Sequence, residues 1–177
     1  MKTLVIYVNS RPDTEFMFNV YRKLPSYTLL YNPSKSEVKY HLNKKYDRII
    51  MLGHGDYYGL YNKSWNGYIV DASMIPLLKD KIVIGIWCYA SDFAQRYDLN
   101  GFFTSMFISN YMELLQCGFP SFDDCDEVID YENNKFAETI SMLINSNYCM
   151  DKWVDYFQEH CSDYNFVKYN YEALYYN

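Results

Sequence analysis

The sequence predicts a single α/β domain over residues 1–177, a three-layer sandwich with a mainly parallel central sheet and helices on both faces. Three observations predict it. Residues 2–8, 47–52 and 81–87 are apolar and rich in β-branched side chains, the pattern of strands buried on both faces. Segments of helical spacing lie between them, and such alternation predicts parallel strands joined by right-handed crossovers. No internal repeat or low-complexity linker divides the chain, whose length suits one domain.

The elements follow in order. KTLVIYV at 2–8 is the first strand. Residues 9–13 form a turn, and Asp13 can cap a helix starting at Thr14, with Phe16, Val20 and Leu24 at helical spacing and Pro25-Ser26 at its end. Residues 27–31 are a second strand, and Asn32-Pro33-Ser34 a turn. Ser34 can cap the next helix, with Glu37 in the capping-box position and Val38 and Leu42 facing inward. The third strand, 47–52, runs directly into Gly53-His54-Gly55. Residues 56–67, rich in Tyr, Asn and Gly, read as a loop or small hairpin, and 68–70 as a brief strand. Asp71 or Ser73 caps a short helix through Leu78. The strand at 81–87 then runs directly into Cys88.

Beyond Cys88 the pattern predicts a loop or short helix at 89–97, a strand at 105–109 and a helix at 110–116 ending near Gly118. An acidic irregular stretch follows at 120–130. Helices are predicted at 132–146 and 149–160, and a last strand at 165–169. Phe136, Ile140, Leu143 and Ile144 form the apolar stripe of the first of these helices.

Composition excludes several classes. Half the residues are hydrophobic and a fifth aromatic, which excludes a disordered tail. The net charge is −6 with no basic run, so no nucleic-acid partner is expected. No segment reaches the ~18 apolar residues of a membrane span. The N-terminal apolar run falls short of the roughly 7–15 residues of a signal sequence, so the expected location is cytoplasmic. The five cysteines, 88, 117, 125, 149 and 161, are irregularly spaced and include no C-x-x-C pair, so neither a disulfide framework nor a zinc knuckle is expected. A metal at Cys149 and His160-Cys161 would need further ligands. The acidic group Asp123, Asp124, Asp126 and Glu127 lacks the spacing of a calcium loop. No metal or cofactor is therefore expected. The 21 tyrosines fit an AT-rich coding sequence or a binding surface.

The chemistry concentrates at two strand ends. Open parallel sheets build their sites beyond the carboxyl ends of the strands. Two strands here end at His54 and Cys88, the pair that nucleophilic acyl transfer needs. If those strands are neighbours, their tips lie about 5 Å apart. The backbone N–H groups of Gly55 and Cys88 can hold an oxyanion there. Ser91 or Asp92 can cap a helix whose N-terminus would lower the Cys88 pKa. Asp92 could favour a basic substrate side chain, and Tyr57, Tyr58 and Tyr61 could form a lid or aromatic platform. Trp87 should pack against a helix, and His41 should lie on the surface.

The segments Ile49-Ile50-Met51-Leu52-Gly53-His54-Gly55, Gly59-Leu60, Ile69-Val70-Asp71 and Ile82-Val83-Ile84-Gly85-Ile86-Trp87-Cys88-Tyr89-Ala90 resemble the caspase-type cysteine peptidases, most closely the bacterial CHAT-like branch. The resemblance covers about residues 47–92. It implies a caspase–haemoglobinase-like sandwich, a His54–Cys88 dyad and an oxyanion site at the Gly55 and Cys88 amides. Caspases proper carry Q-A-C-[RQG]-G, whereas Tyr89-Ala90-Ser91 follows Cys88 here. The expected activity is that of a cysteine peptidase or amidase acting on a peptide or protein substrate. The alternative is a catalytically inactive module of the same fold that recognises a protein partner. A flavodoxin-like nucleotide binder is disfavoured, because the first strand–helix turn lacks a glycine-rich phosphate cradle.

Overall fold

In the computed structural model, which describes residues 1–10, 12–146 and 148–177, the first apolar run forms β1 (Thr3–Tyr7), whose five residues are all buried. It lies second from the edge of a six-stranded sheet made with β2 (Thr28–Tyr31), β3 (Arg48–Leu52), β7 (Ile82–Ile86), β8 (Gly101–Phe103) and β9 (Tyr175–Tyr176). The order is β2-β1-β3-β7-β8-β9, parallel throughout except for the antiparallel β9. A mainly parallel α/β sheet is thus as the sequence predicts. A second, antiparallel sheet joins β4 (Gly55–Asp56), β5 (Gly59–Tyr61) and β6 (Tyr68–Val70). The segment left open between loop and hairpin is therefore an antiparallel meander.

Continuously apolar strands supply two faces, and each carries its own core. Val5, Tyr7, Ile50, Leu52, Ile84 and Ile86 point to one side. There they meet α6 (Cys125–Asn145), α7 (Trp153–Glu159) and α8 (Asn165–Glu172) through Phe136, Phe157 and Tyr171. Leu4, Ile6, Ile49, Met51 and Val83 point to the other side. There they meet α2 (Lys35–Leu42), α3 (Ile75–Leu78) and α4 (Ala90–Tyr97), together with Leu60 and Val70 of the small sheet. The alternation of side chains along each strand makes this division. Helix α2 starts on the expected capping box: Ser34 accepts from the Glu37 N–H, and Glu37 accepts from the Ser34 N–H. Asp71 caps the turn leading to α3 through the Ser73 N–H. Among the described residues, no helix is long and apolar enough to cross a membrane.

Several predicted elements are corrected. The helix expected from Thr14 is a 3-10 turn, Pro12–Met17, followed by the short α1 (Phe18–Tyr21), and Asp13 lies inside that turn and does not cap it. The turn expected at 9–13 includes Arg11, which lies outside the described residues. The strand expected at 105–109 is instead β8 at Gly101–Phe103. Thr104 continues its pairing by donating its N–H to the Gly85 carbonyl. Helix α6 begins seven residues before the expected 132, at Cys125, inside the acidic stretch whose Asp126 and Glu127 favour a helix N-terminus. Residues 165–169 are helical, in α8, because Phe166, Val167, Asn170 and Tyr171 recur at helical spacing toward the core.

The tyrosine-rich core makes folding sensitive to alkali. Burial pushes Tyr7 and Tyr171 well above the usual phenol range, and Tyr21 up to about 12. The unfolded chain releases these protons near pH 10, while the folded chain keeps them, so the unfolded state binds fewer protons above that pH. Stability should hold below pH 9 and fall through pH 10–12, at about 1.4 kcal/mol per pH unit for each such group. Urea denaturation between pH 7 and 11 measures this, and a flat profile above pH 10 would contradict it.

Candidate active site

The site begins with the pairing of β3 and β7. Leu52 stands opposite Ile86, and the Gly53 N–H donates to the Ile86 carbonyl at 3.2 Å. Each chain continues two residues past this register, to His54 and to Cys88. Gly53 makes the exit possible. Its φ is +150°, and a Cβ there would lie 2.9 Å from the Val8 carbonyl oxygen. On the other strand, Thr104 fixes the turn before Cys88. Its hydroxyl accepts from the Trp87 N–H at 3.1 Å and donates to the Trp87 carbonyl at 2.9 Å. The Thr104 carbonyl accepts from the Ser91 N–H at 2.9 Å.

His54 and Cys88 line one cavity with Met17, Thr104, Phe107 and Ser109. Its volume is about 10 Å³, close to the least that holds one water. His54 is only 8% exposed. Its Nε2 lies 3.4 Å from Asp13 Oδ1, and Asp13 Oδ2 accepts from the Asn110 side chain at 3.2 Å. Asp13 was legible in the sequence only as a helix cap. The topology gives it another place, because β1 is the neighbour of β3 and the segment after β1 must pass beside the tip of β3. A carboxylate on an imidazole fixes the orientation of the ring.

The Cys88 thiol faces the opposite way in electrostatic terms. It donates to the Phe107 carbonyl across 3.9 Å. Burial is the main cause that pushes its pKa from an ordinary 9.0 up to about 12, and the negative charge of Glu113 adds to it. Glu113 is held there by the Ser109 N–H and hydroxyl, at 2.8 and 2.9 Å. The thiol is therefore protonated at neutral pH, against the expectation that a helix N-terminus lowers its pKa. Neither Ser91 nor Asp92 caps α4. The residue before the helix is Tyr89, in a left-handed conformation with φ +65° and no side-chain cap bond.

The other expected residues stand outside the cavity. Asp92 is exposed on α4 and accepts from the Ser91 hydroxyl at 3.3 Å. Tyr57 and Tyr58 are exposed at the β4–β5 turn, with the Arg96 guanidinium 5.7 and 5.4 Å from their ring centres. Asp92, Tyr57 and Tyr58 do not line the His54–Cys88 cavity. Gly55 has a packing reason for being glycine, since a Cβ there would overlap the Trp87 ring and the Gly59 carbonyl. Trp87 packs edge-on against Phe93 of α4, 5.9 Å between ring centres, and its indole N–H donates to the Asp56 carbonyl. The His54 carbonyl accepts from the Tyr61 N–H, so Gly55 falls between ladder bonds and its own N–H points away from β5. Among the described residues, no three His, Cys, Asp or Glu side chains gather as metal ligands, and Cys149, His160 and Cys161 form no such group.

Two outcomes follow. Thr104→Val keeps the shape but strands the buried Trp87 N–H, and should cost about 1–3 kcal/mol in chemical denaturation; an unchanged midpoint would contradict the clamp. With iodoacetamide at pH 8, the exposed Cys149 should react well before Cys88. Between pH 8 and 10, the Cys88 rate should rise about tenfold per unit, as its thiolate fraction does. Mass spectrometry of the alkylated peptides reads both, and a plateau for Cys88 below pH 9 would contradict the raised pKa. In comparison with known proteins, no family model matches this chain, and neither does any curated protein or solved structure.

Proposed function

We propose that this chain is a cysteine-dependent hydrolase, a peptidase or amidase of caspase-like type, described here in a closed resting form. The observation that carries the reading is the meeting of His54 and Cys88 in one cavity at the tips of adjacent parallel strands, with Asp13 against the imidazole. In the open form, the His54 imidazole takes the Cys88 proton and the sulfur attacks the carbonyl carbon of a peptide or amide. The resulting oxyanion is held by the N–H groups of Gly55 and Cys88. The imidazolium gives its proton to the leaving amine, and water then cleaves the thioester with His54 again as base. Asp13 steadies the imidazolium in both halves.

A specific observation favours a second reading. A thiol whose pKa burial raises is less ionised at pH 7 than an ordinary cysteine, and the cavity has no room for a substrate. A chain that stayed so would be a binding module on the same fold, recognising a protein partner.

Peptide vinyl sulfone probes with varied side chains at the scissile position separate the two. The hydrolase reading expects a probe adduct at Cys88, abolished by Cys88→Ala and slowed about 10²–10⁴-fold by His54→Ala. Equal labelling of wild type and Cys88→Ala, or none with any probe after the site is opened, would leave the binding module as the reading.

A further inference from the structure

One side chain of the turn between β5 and β6 packs against the imidazole of His54. The Trp65 indole lies 4.6 Å from it, centre to centre, with the planes at 42°. The same indole stacks on Tyr61 at 5.6 Å and 20°, and Tyr61 stacks on Tyr68 at 5.2 Å and 24°. The indole N–H donates to the Ser10 hydroxyl at 3.1 Å. A flat ring system is thus in contact with an aromatic wall, an imidazole and a hydroxyl acceptor.

The walls and the occupant are held differently. Tyr61 and Tyr68 both donate their hydroxyls to Asp56 Oδ2, at 2.8 and 2.9 Å, on adjacent strands of the small sheet. His54 follows the buried β3 and faces Asp13. Trp65 instead sits in the turn at 62–67, in a left-handed conformation with φ +59°. That turn is organised by its own Asn62. The Asn62 side chain accepts from the Ser64 and Asn66 N–H groups and donates to the Asn66 side chain, while the Asn62 carbonyl accepts from the Trp65 N–H. The hydrogen bonds that shape the turn thus lie within 62–67, apart from those that hold Tyr61, Tyr68 and His54. Trp65 is 42% exposed even when docked, whereas Trp87 and Trp153 are at most 2% exposed.

We infer that the 62–67 turn is a lid whose Trp65 indole occupies a binding slot on His54, and that the slot takes a planar aromatic group of the substrate when the lid opens. The inference rests on His54 as a working group of the site. Its ligand class follows from the walls: stacking on Tyr61 selects a flat ring, and Ser10 accepts from a ring N–H or hydroxyl.

Diethyl pyrocarbonate modification, resolved by mass spectrometry at each histidine, tests the slot without relying on hydrolysis. Modification of His54 reads the open population. Trp65→Ala should raise the His54 rate at least about fivefold, while His41 and His160 keep their rates. Free indole at millimolar concentration should restore protection in Trp65→Ala. Trp65→Phe, which keeps a ring, should stay close to wild type. A His54 rate within twofold of wild type in Trp65→Ala overturns the lid, and a raised rate that indole does not lower overturns the aromatic slot. If all three histidines accelerate in Trp65→Ala, that variant has unfolded and Trp65→Phe with acrylamide quenching of wild-type tryptophan emission decides. Quenching should rise above that of the unliganded protein when a competitor that does not emit as tryptophan does, such as phenol, displaces Trp65; no response to any such competitor overturns the inference. An exposed His54 beside an unlabelled Cys88 would leave the slot standing and sink the hydrolase reading alone.

Discussion

The parallel pairing of β3 with β7 is the constraint on which the rest of the structure depends. It lies at the centre of the six-stranded sheet, and its register sets Leu52 against Ile86. Because both faces of these strands are buried, a slip of one residue would exchange the side chains of the two cores, which are shaped differently. His54 and Cys88 each follow the last pair by two residues, so the same constraint that stabilises the core also brings them together. Gly53, which must turn without a Cβ beneath the Val8 carbonyl, and Thr104, which ties Trp87, convert a strand end into a fixed site.

Burial and reactivity oppose each other in this cavity. The sheet tip lies close under Phe107 and Ser109, and the apolar cover that packs the core also disfavours a thiolate at Cys88. Glu113 strengthens the effect, since its carboxylate is positioned by Ser109 and not by a cation. The His54 side is arranged in the other sense, with a carboxylate beside the ring. A buried thiol held toward the Phe107 carbonyl and an imidazole held toward the Asp13 carboxylate thus line the same small cavity.

Asp56 has a comparable organising role in the small sheet. One carboxylate receives Tyr61, Tyr68 and the Tyr58 N–H, and the carbonyl of the same residue receives the Trp87 indole. These contacts join the meander to the strand that ends at Cys88. The aromatic surroundings of His54 are therefore tied by hydrogen bonds to the segment that carries Cys88, although the two belong to separate sheets.

In the first half of the chain the strands, the capping box at Ser34 and Glu37, and the runs ending at His54 and Cys88 were legible because all are local signals, although the helix expected from Thr14 proved to be a 3-10 turn. After Cys88 local signals competed. Thr104 follows β8, and the aromatic run around it has no clear period, so the local pattern places the strand too late in the chain. Phe166 and Val167 satisfy a strand pattern until Asn170 and Tyr171 complete the helical one. Only the tertiary structure decided what the site residues do to one another. Asp13 reaches His54 because β1 borders β3, Trp65 covers the imidazole because the meander folds back over the strand tips, and Asp92 with the two tyrosines faces solvent. Charge state, too, was a tertiary outcome: the position of Cys88 beside a helix start was legible, but its protonation depends on burial and on Glu113, twenty-five residues away along the chain. Such long-range terms depend on distances that no local pattern encodes.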